Sequence, residues 1–254
     1  SYNQISNLDG LRSLTQLTEV DLEGNRIRDL APLRSLTKLI ALDLKDNQIR
    51  DLSSLQALTQ LTSLTLDNNQ ISDLTPLQSL PQLTDHSLEG NQISDLSPLQ
   101  RLTALETLNL QCNQINRLTP LHSLTNLNLL NLSSNQIDDL KPIQTLKNLK
   151  SLNLISNKIS SLSSLQTLTS LESLALANNP IHDLSPLQLL TSLRAIDLRN
   201  TPVSNLRPLQ SLPHLDTLFF MQGQFSESEL HQIRSIANLR ELAPRETPGD
   251  CHSS

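Results

Sequence analysis

The stretch "LTSLTLDNNQISDLTPLQSLPQ", residues 61–82, holds the pattern that organises the whole chain. Leu61, Leu64 and Leu66 open it, Asn69 and Ile71 follow, and Leu74, Leu77 and Leu80 close it around Pro76. Moved along by 22 residues, the same skeleton returns. Asn stands at 3, 25, 47, 69, 91, 113, 135, 157 and 179, and Thr201 and Gly223 continue the series with other residues. Leu occupies 17, 39, 61, 83, 105, 127, 149, 171, 193 and 215 on the same spacing, with no insertion or deletion. A strict internal period of this length is the mark of a stacked repeat architecture.

Each unit carries its own structural instructions. The L-x-L alternation of Leu64 and Leu66 has period two, which predicts a short strand with the leucines inward and the intervening residues outward. The Asn that follows suits a point where the chain turns off a strand. In "SDLSPLQSL", Ser97 precedes Pro98 as an N-cap precedes the first helical residue. Leu96, Leu99 and Leu102 recur every three residues, which suits a 3₁₀ turn. One unit cannot bury its apolar row alone. Stacking the units buries the rows as one column, makes a single parallel sheet, and leaves the prolines on the return segments.

The 22-residue unit, with "NQISDLSPL" at 91–99 near-copied at 69–77, resembles leucine-rich repeat proteins of the bacterial internalin type, and is similar to the repeats of phosphatase-regulating leucine-rich proteins. That resemblance implies an α/β solenoid: a right-handed curved superhelix, a parallel sheet on its concave face, short 3₁₀ turns on its convex face and a C-terminal capping helix. It also implies that Asn25, Asn47, Asn69, Asn91, Asn113, Asn135, Asn157 and Asn179 form an internal hydrogen-bond ladder, and that protein partners bind the concave side.

Residues 1–225 form the array of about ten coils, 226–243 a helical cap and 244–254 a polar tail. Ser226 and Glu229 open the cap as a capping box, and Leu230, Ile233 and Ile236 follow at helical intervals, with Leu239 after them. Phe219, Phe220 and Phe225 are expected to widen the last core layer. The N-terminus enters mid-unit without a comparable cap, which reads as a fragment of a longer protein.

Composition narrows the function. A net charge of −6 argues against nucleic acid, whose phosphates need a basic surface. No apolar run is long enough to insert into a membrane. Cys112 and Cys251 are too few for a disulfide framework and fit a reducing compartment, so a cytoplasmic location is favoured, or the cell surface if a leader precedes this sequence. No motif for a metal, cofactor or phosphate appears. Asp85-His86-Ser87 holds the three letters of a hydrolase triad, but a strand points His86 away from both neighbours, so the chain reads as non-enzymatic. His86 stands where Leu64 and Leu108 stand and reads as a core substitution.

The variable strand positions remain. Glu19, Asp21, Glu23, Asp43, Asp67, Asp85 and Glu89 make the first four coils acidic, against Lys45 alone. Asn109, Asn131, Ile155, Arg199 and Phe219 carry the face from polar to partly apolar. This gradient predicts a scaffold that steers a protein partner of basic character with its acidic half and packs it with the other, acting as a monomer. Two other contexts fit the same array: a regulatory domain of a larger signalling protein such as a Roco-type GTPase, or a surface adhesin of the internalin kind.

Overall fold

The computed structural model describes residues 3–233, 238–242 and 251. Each coil contributes one three-residue strand: β1 (Glu19–Asp21), β2 (Ala41–Asp43), β3 (Ser63–Thr65), β4 (Asp85–Ser87), β5 (Thr107–Asn109), β6 (Leu129–Asn131), β7 (Ser151–Asn153), β8 (Ser173–Ala175) and β9 (Ala195–Asp197). Two longer strands, β10 (Thr217–Met221) and β11 (Asn238–Leu242), finish the sheet. All pair in parallel and in sequence order, so the fold is a leucine-rich solenoid with one strand-bearing wall.

The register is strict: Val20, Leu42, Leu64, His86, Leu108, Leu130, Leu152, Leu174, Ile196 and Leu218 are successive partners on the inward row. From Leu42 onward these side chains are at most 2% exposed. Removing a leucine from water contributes about 2 kcal/mol, and a repeat converts that term into length rather than breadth. In the first coil, Leu17 and Val20 are only partly buried.

Three residues past the end of each of β1 to β9 stands a left-handed residue. Asp46, Asn68, Cys112, Ser134, Ser156, Asn178 and Asn200 all have φ between 53° and 56°, and Gly24 and Gly90 occupy the same place in their coils. The chain then meets the buried asparagine. Asn69 Nδ2 donates to the carbonyls of Leu44, Leu66 and Asp67 at 3.0, 3.0 and 3.1 Å, and its Oδ1 accepts from Ile49 N at 3.0 Å. The pattern recurs from Asn47 to Asn179, and Asn25 makes its own-coil bonds and accepts from Ile5 N at 3.1 Å. Each amide thus stitches adjacent coils where neither sheet nor turn satisfies the backbone. The ladder ends by substitution. Thr201 Oγ1 donates to Leu198 O at 2.7 Å, and Gln224 Nε2 reaches the same carbonyl at 2.7 Å from one position beyond Gly223.

Among the described residues, ten 3₁₀ turns line the other wall, for example Ser97–Arg101. Their cap differs from the sequence expectation. Ser97 does not cap; the residue two before it does. Asp95 Oδ1 accepts from Ser97 N at 2.9 Å, and Asp29, Asp51, Asp73, Asp139 and Asp183 do the same for residues 31, 53, 75, 141 and 185. Ser97 is itself the first residue of its turn, so the residue two upstream is placed to accept from its free N–H, as Ser161 Oγ also does from Ser163 N at 3.4 Å.

At the C-terminal end, helix α1 (Glu227–Ile233) opens with the expected box: Ser226 N donates to Glu229 Oε2 at 2.6 Å and Glu229 N to Ser226 Oγ at 3.3 Å. Leu239, expected to follow in a helical cap, belongs instead to β11, which prolongs the sheet by pairing with β10. Ile236 lies outside the described residues. Phe220 and Phe225 fill the last core layer with ring centroids 5.7 Å apart, whereas Phe219 alternates to the outward face.

The cysteines also depart from expectation. Cys112 and Cys251 form a disulfide with Cα atoms 5.5 Å apart across a sequence separation of 139. Counting cysteines does not reveal this, because the partner is six strands away in chain order.

Candidate partner-binding face

Strict register places the outward side chains in rows. Asp21, Asp43 and Thr65 stand side by side across β1, β2 and β3, as do Glu19, Ala41 and Ser63. Glu19 and Asp21 are exposed, and Glu23, Asp43 and Lys45 are half-buried. Asp21 Oδ1 accepts from Glu23 N and Asp43 Oδ1 from Lys45 N, both at 2.9 Å, so each carboxylate is fixed at one oxygen and open at the other. Lys45 Nζ lies 4.0 Å from the Glu23 carboxylate.

The acidity is not continuous. β3 presents Ser63 and Thr65, and Asp67 is 9% exposed, its Oδ1 accepting from Ser87 Oγ at 2.5 Å and Glu89 N at 2.8 Å. Desolvation pushes the Asp67 carboxyl above its usual range, against the lowering effect of those two bonds. Asp67 is therefore a strut between coils and is not displayed for steering. Acidic groups return at Asp85, exposed, and Glu89, whose Oε2 accepts from Asn109 Nδ2 at 3.0 Å. Two patches, on β1–β2 and at β4, replace the expected acidic half. Between β3 and β6 the face hollows to about 310 Å³, with Thr65, Ser87, Asn109 and Leu129 among its walls.

His86 sits behind that hollow, 2% exposed, while Asp85 and Ser87 occupy outward positions on either side of it. The imidazole Nδ1 donates to Leu64 O at 2.7 Å, and Nε2 has no partner among the described residues. Burial lowers the imidazole pKa from 6.5 to about 4, opposed by the Leu64 carbonyl. The three side chains do not converge as a triad.

The C-terminal half is neutral and partly apolar. Asn131 Nδ2 donates to Gln111 Oε1 at 2.9 Å, and Leu129 is 39% exposed. Ile155 is 6% exposed, so this contact candidate belongs mostly to the core. Two beyond the strand, Asp67, Ser133, Ile155 and Ala177 are buried, whereas Glu23, Lys45, Glu89, Gln111 and Arg199 at the same place are half-buried. Ser173, Ala175 and Ala195 floor a second hollow of about 180 Å³ between Phe219 and the Asp197–Arg199 pair. Arg199 Nε and Nη2 donate to the Asp197 carboxylate at 2.9 and 2.6 Å. That bond holds the guanidinium pKa above its usual value and spends the charge locally.

A family model described as "Leucine Rich repeats (2 copies)" matches residues 1–35, 37–79, 87–123, 103–146 and 147–189. The chain belongs to the leucine-rich repeat family. Among solved structures, the leucine-rich array is similar to InlF, an internalin of Listeria monocytogenes, at 29% identity, covering 99% of this chain and 83% of that one with a TM-score of 0.81. Internalin C2 of the same organism is 36% identical over 73% of this chain and 82% of its own, with a TM-score of 0.72. A leucine-rich repeat protein of Leptospira interrogans is 26% identical over 93% of this chain and 63% of its own, with a TM-score of 0.85. A comparison with curated protein sequences finds no match. The array is thus of the bacterial internalin type, a fold consistent with a protein–protein interaction domain.

For a leucine-rich repeat, the informative departures are residues that break a row. Cys112 is one: it takes a left-handed place held in other coils by Gly, Asp or Asn, which tolerate that backbone, or by Ser. Among the described residues, no group of three or more His, Cys, Asp or Glu is arranged to hold a metal ion, and no helix is long and apolar enough to cross a membrane.

Proposed function

We propose that this leucine-rich array is a non-enzymatic recognition module that binds a protein partner on its concave, strand-bearing face as a monomer. The alignment of Asp21 with Asp43 beside Glu19 carries the reading, because it concentrates carboxylates at one end of a rigid wall that presents Leu129 at its middle and Phe219 towards its other end. Glu19, Glu23, Asp85 and Glu89 extend the acidic surface, and Asn109 and Asn131 supply hydrogen-bonding edges beside Leu129. A partner with a basic segment next to an apolar one matches that order. Eleven strands at about 4.8 Å give a wall of roughly 50 Å, enough for a standard interface.

The disulfide favours an oxidising setting over the reducing cytoplasm in which a Roco-type regulatory domain would work. Likeness to two internalins supports the same surface-adhesin context.

Affinity capture with the full chain, followed by binding kinetics on the purified partner, tests the proposal. Asp21→Lys with Asp43→Lys should slow association at least tenfold at low salt, and Phe219→Ala should mainly speed dissociation. Unchanged rates in both variants would refute concave-face binding.

A further inference from the structure

In this solenoid every contact between elements of the described chain joins sequence neighbours, coil to coil along the stack. Stability in such an array is a sum of coil and neighbour-interface terms, so the terminal coils, held on one side only, open first. The Cys112–Cys251 bond breaks that rule. It joins the coil after β5 directly to a residue beyond β11, skipping β6 to β11. Cys112 also occupies a left-handed position, φ 55°, where nothing in the backbone favours cysteine over the Gly, Asp, Asn and Ser of other coils.

We propose that Cys112–Cys251 is a redox clasp that couples the C-terminal end of the array to its middle coil. With the bond closed, residues 112–251 form one covalent ring. Terminal coils that detach then stay tied at both ends, so detachment releases less chain entropy and is suppressed. With the bond open, β9 to β11 and α1 are held by nearest-neighbour packing alone and fray from the end. The chemistry is thiol–disulfide exchange with an external disulfide of the glutathione class. The two protein thiols and one external disulfide give the protein S–S bond and two external thiols, each sulfur of the oxidant receiving one electron and one proton. A reducing dithiol runs it backward. The clasp does not depend on what the strand face binds.

The test is amide hydrogen exchange on the full chain, oxidised by glutathione disulfide or reduced by dithiothreitol, with Cys112→Ser and Cys251→Ser alongside. Reduction should speed exchange in β9–β11 and α1 on the order of tenfold, and leave β1–β4 unchanged. Both variants should match the reduced protein and ignore dithiothreitol. Equal exchange of β9–β11 in the two states overturns the proposal. So does titration of two free thiols per chain after glutathione oxidation, or a bond that links two chains.

Discussion

Replacing His86 with leucine should remove a pH dependence that the core now carries. The imidazole is fully buried, with Nδ1 on Leu64 O and Nε2 bare, and its folded-state pKa is about 4 against 6.5 in the unfolded chain. Because the folded value is depressed, the unfolded chain binds more protons below pH 6.5. Stability is therefore full above that value, falls as pH drops toward 4, and levels off below it. The difference, 6.5 − 4, amounts to about 3 kcal/mol over the whole window. At pH 5 the proton linkage removes about 2 kcal/mol. Carboxylates titrate in both proteins, so the wild-type loss between pH 7.5 and pH 5 should exceed that of His86→Leu by about 2 kcal/mol in urea unfolding. The variant should also gain about 1–3 kcal/mol at pH 7.5, since the orphan Nε2 disappears and the row Leu64–Leu108 becomes continuous. Parallel stability–pH curves for the two proteins would refute this account.

Two further outcomes follow from groups between coils. Asn135→Ala should cost about 3 kcal/mol in urea unfolding, because it strips donors from the Leu110, Leu132 and Ser133 carbonyls and an acceptor from Ile115 N. Asn135→Thr should cost less, since its hydroxyl can take the own-coil bond that Thr201 makes to Leu198; equal losses would contradict the ladder reading. Asp67→Asn should stabilise the protein at neutral pH and leave it as stable as wild type in strong acid. Its raised carboxyl pKa means stability is present at low pH and lost as pH rises through the folded value, the reverse of His86. A destabilised Asp67→Asn at pH 7 would show that the Ser87 and Glu89 bonds outweigh desolvation.

Much of this was legible in one line of sequence. Leu64 and Leu66 at period two, Asn69 behind them and Pro76 on the return specify strand, turn and 3₁₀ segment locally, and the period of 22 dictates how they stack. His86 as a buried misfit followed from the same alternation. The candidate face was legible only in part. Asp67 and Ile155 read as displayed residues, yet both are buried. Arg199 read as a residue that contacts the partner, yet Asp197 two residues earlier takes its charge. Strand alternation tells inward from outward but says nothing about the depth to which an outward residue sinks beside its neighbours.

What the sequence determined by itself is the coil and the register, because a repeat makes every contact a nearest-neighbour contact at fixed spacing; the ladder came with the resemblance to leucine-rich repeats. What tertiary structure alone decided lies at long range or at the ends: the eleventh strand at 238–242, Gln224 reaching back for a missing asparagine, and the bond from Cys112 to Cys251. Those depend on where the stack stops and what comes near it in space, and neither is written in a period of 22.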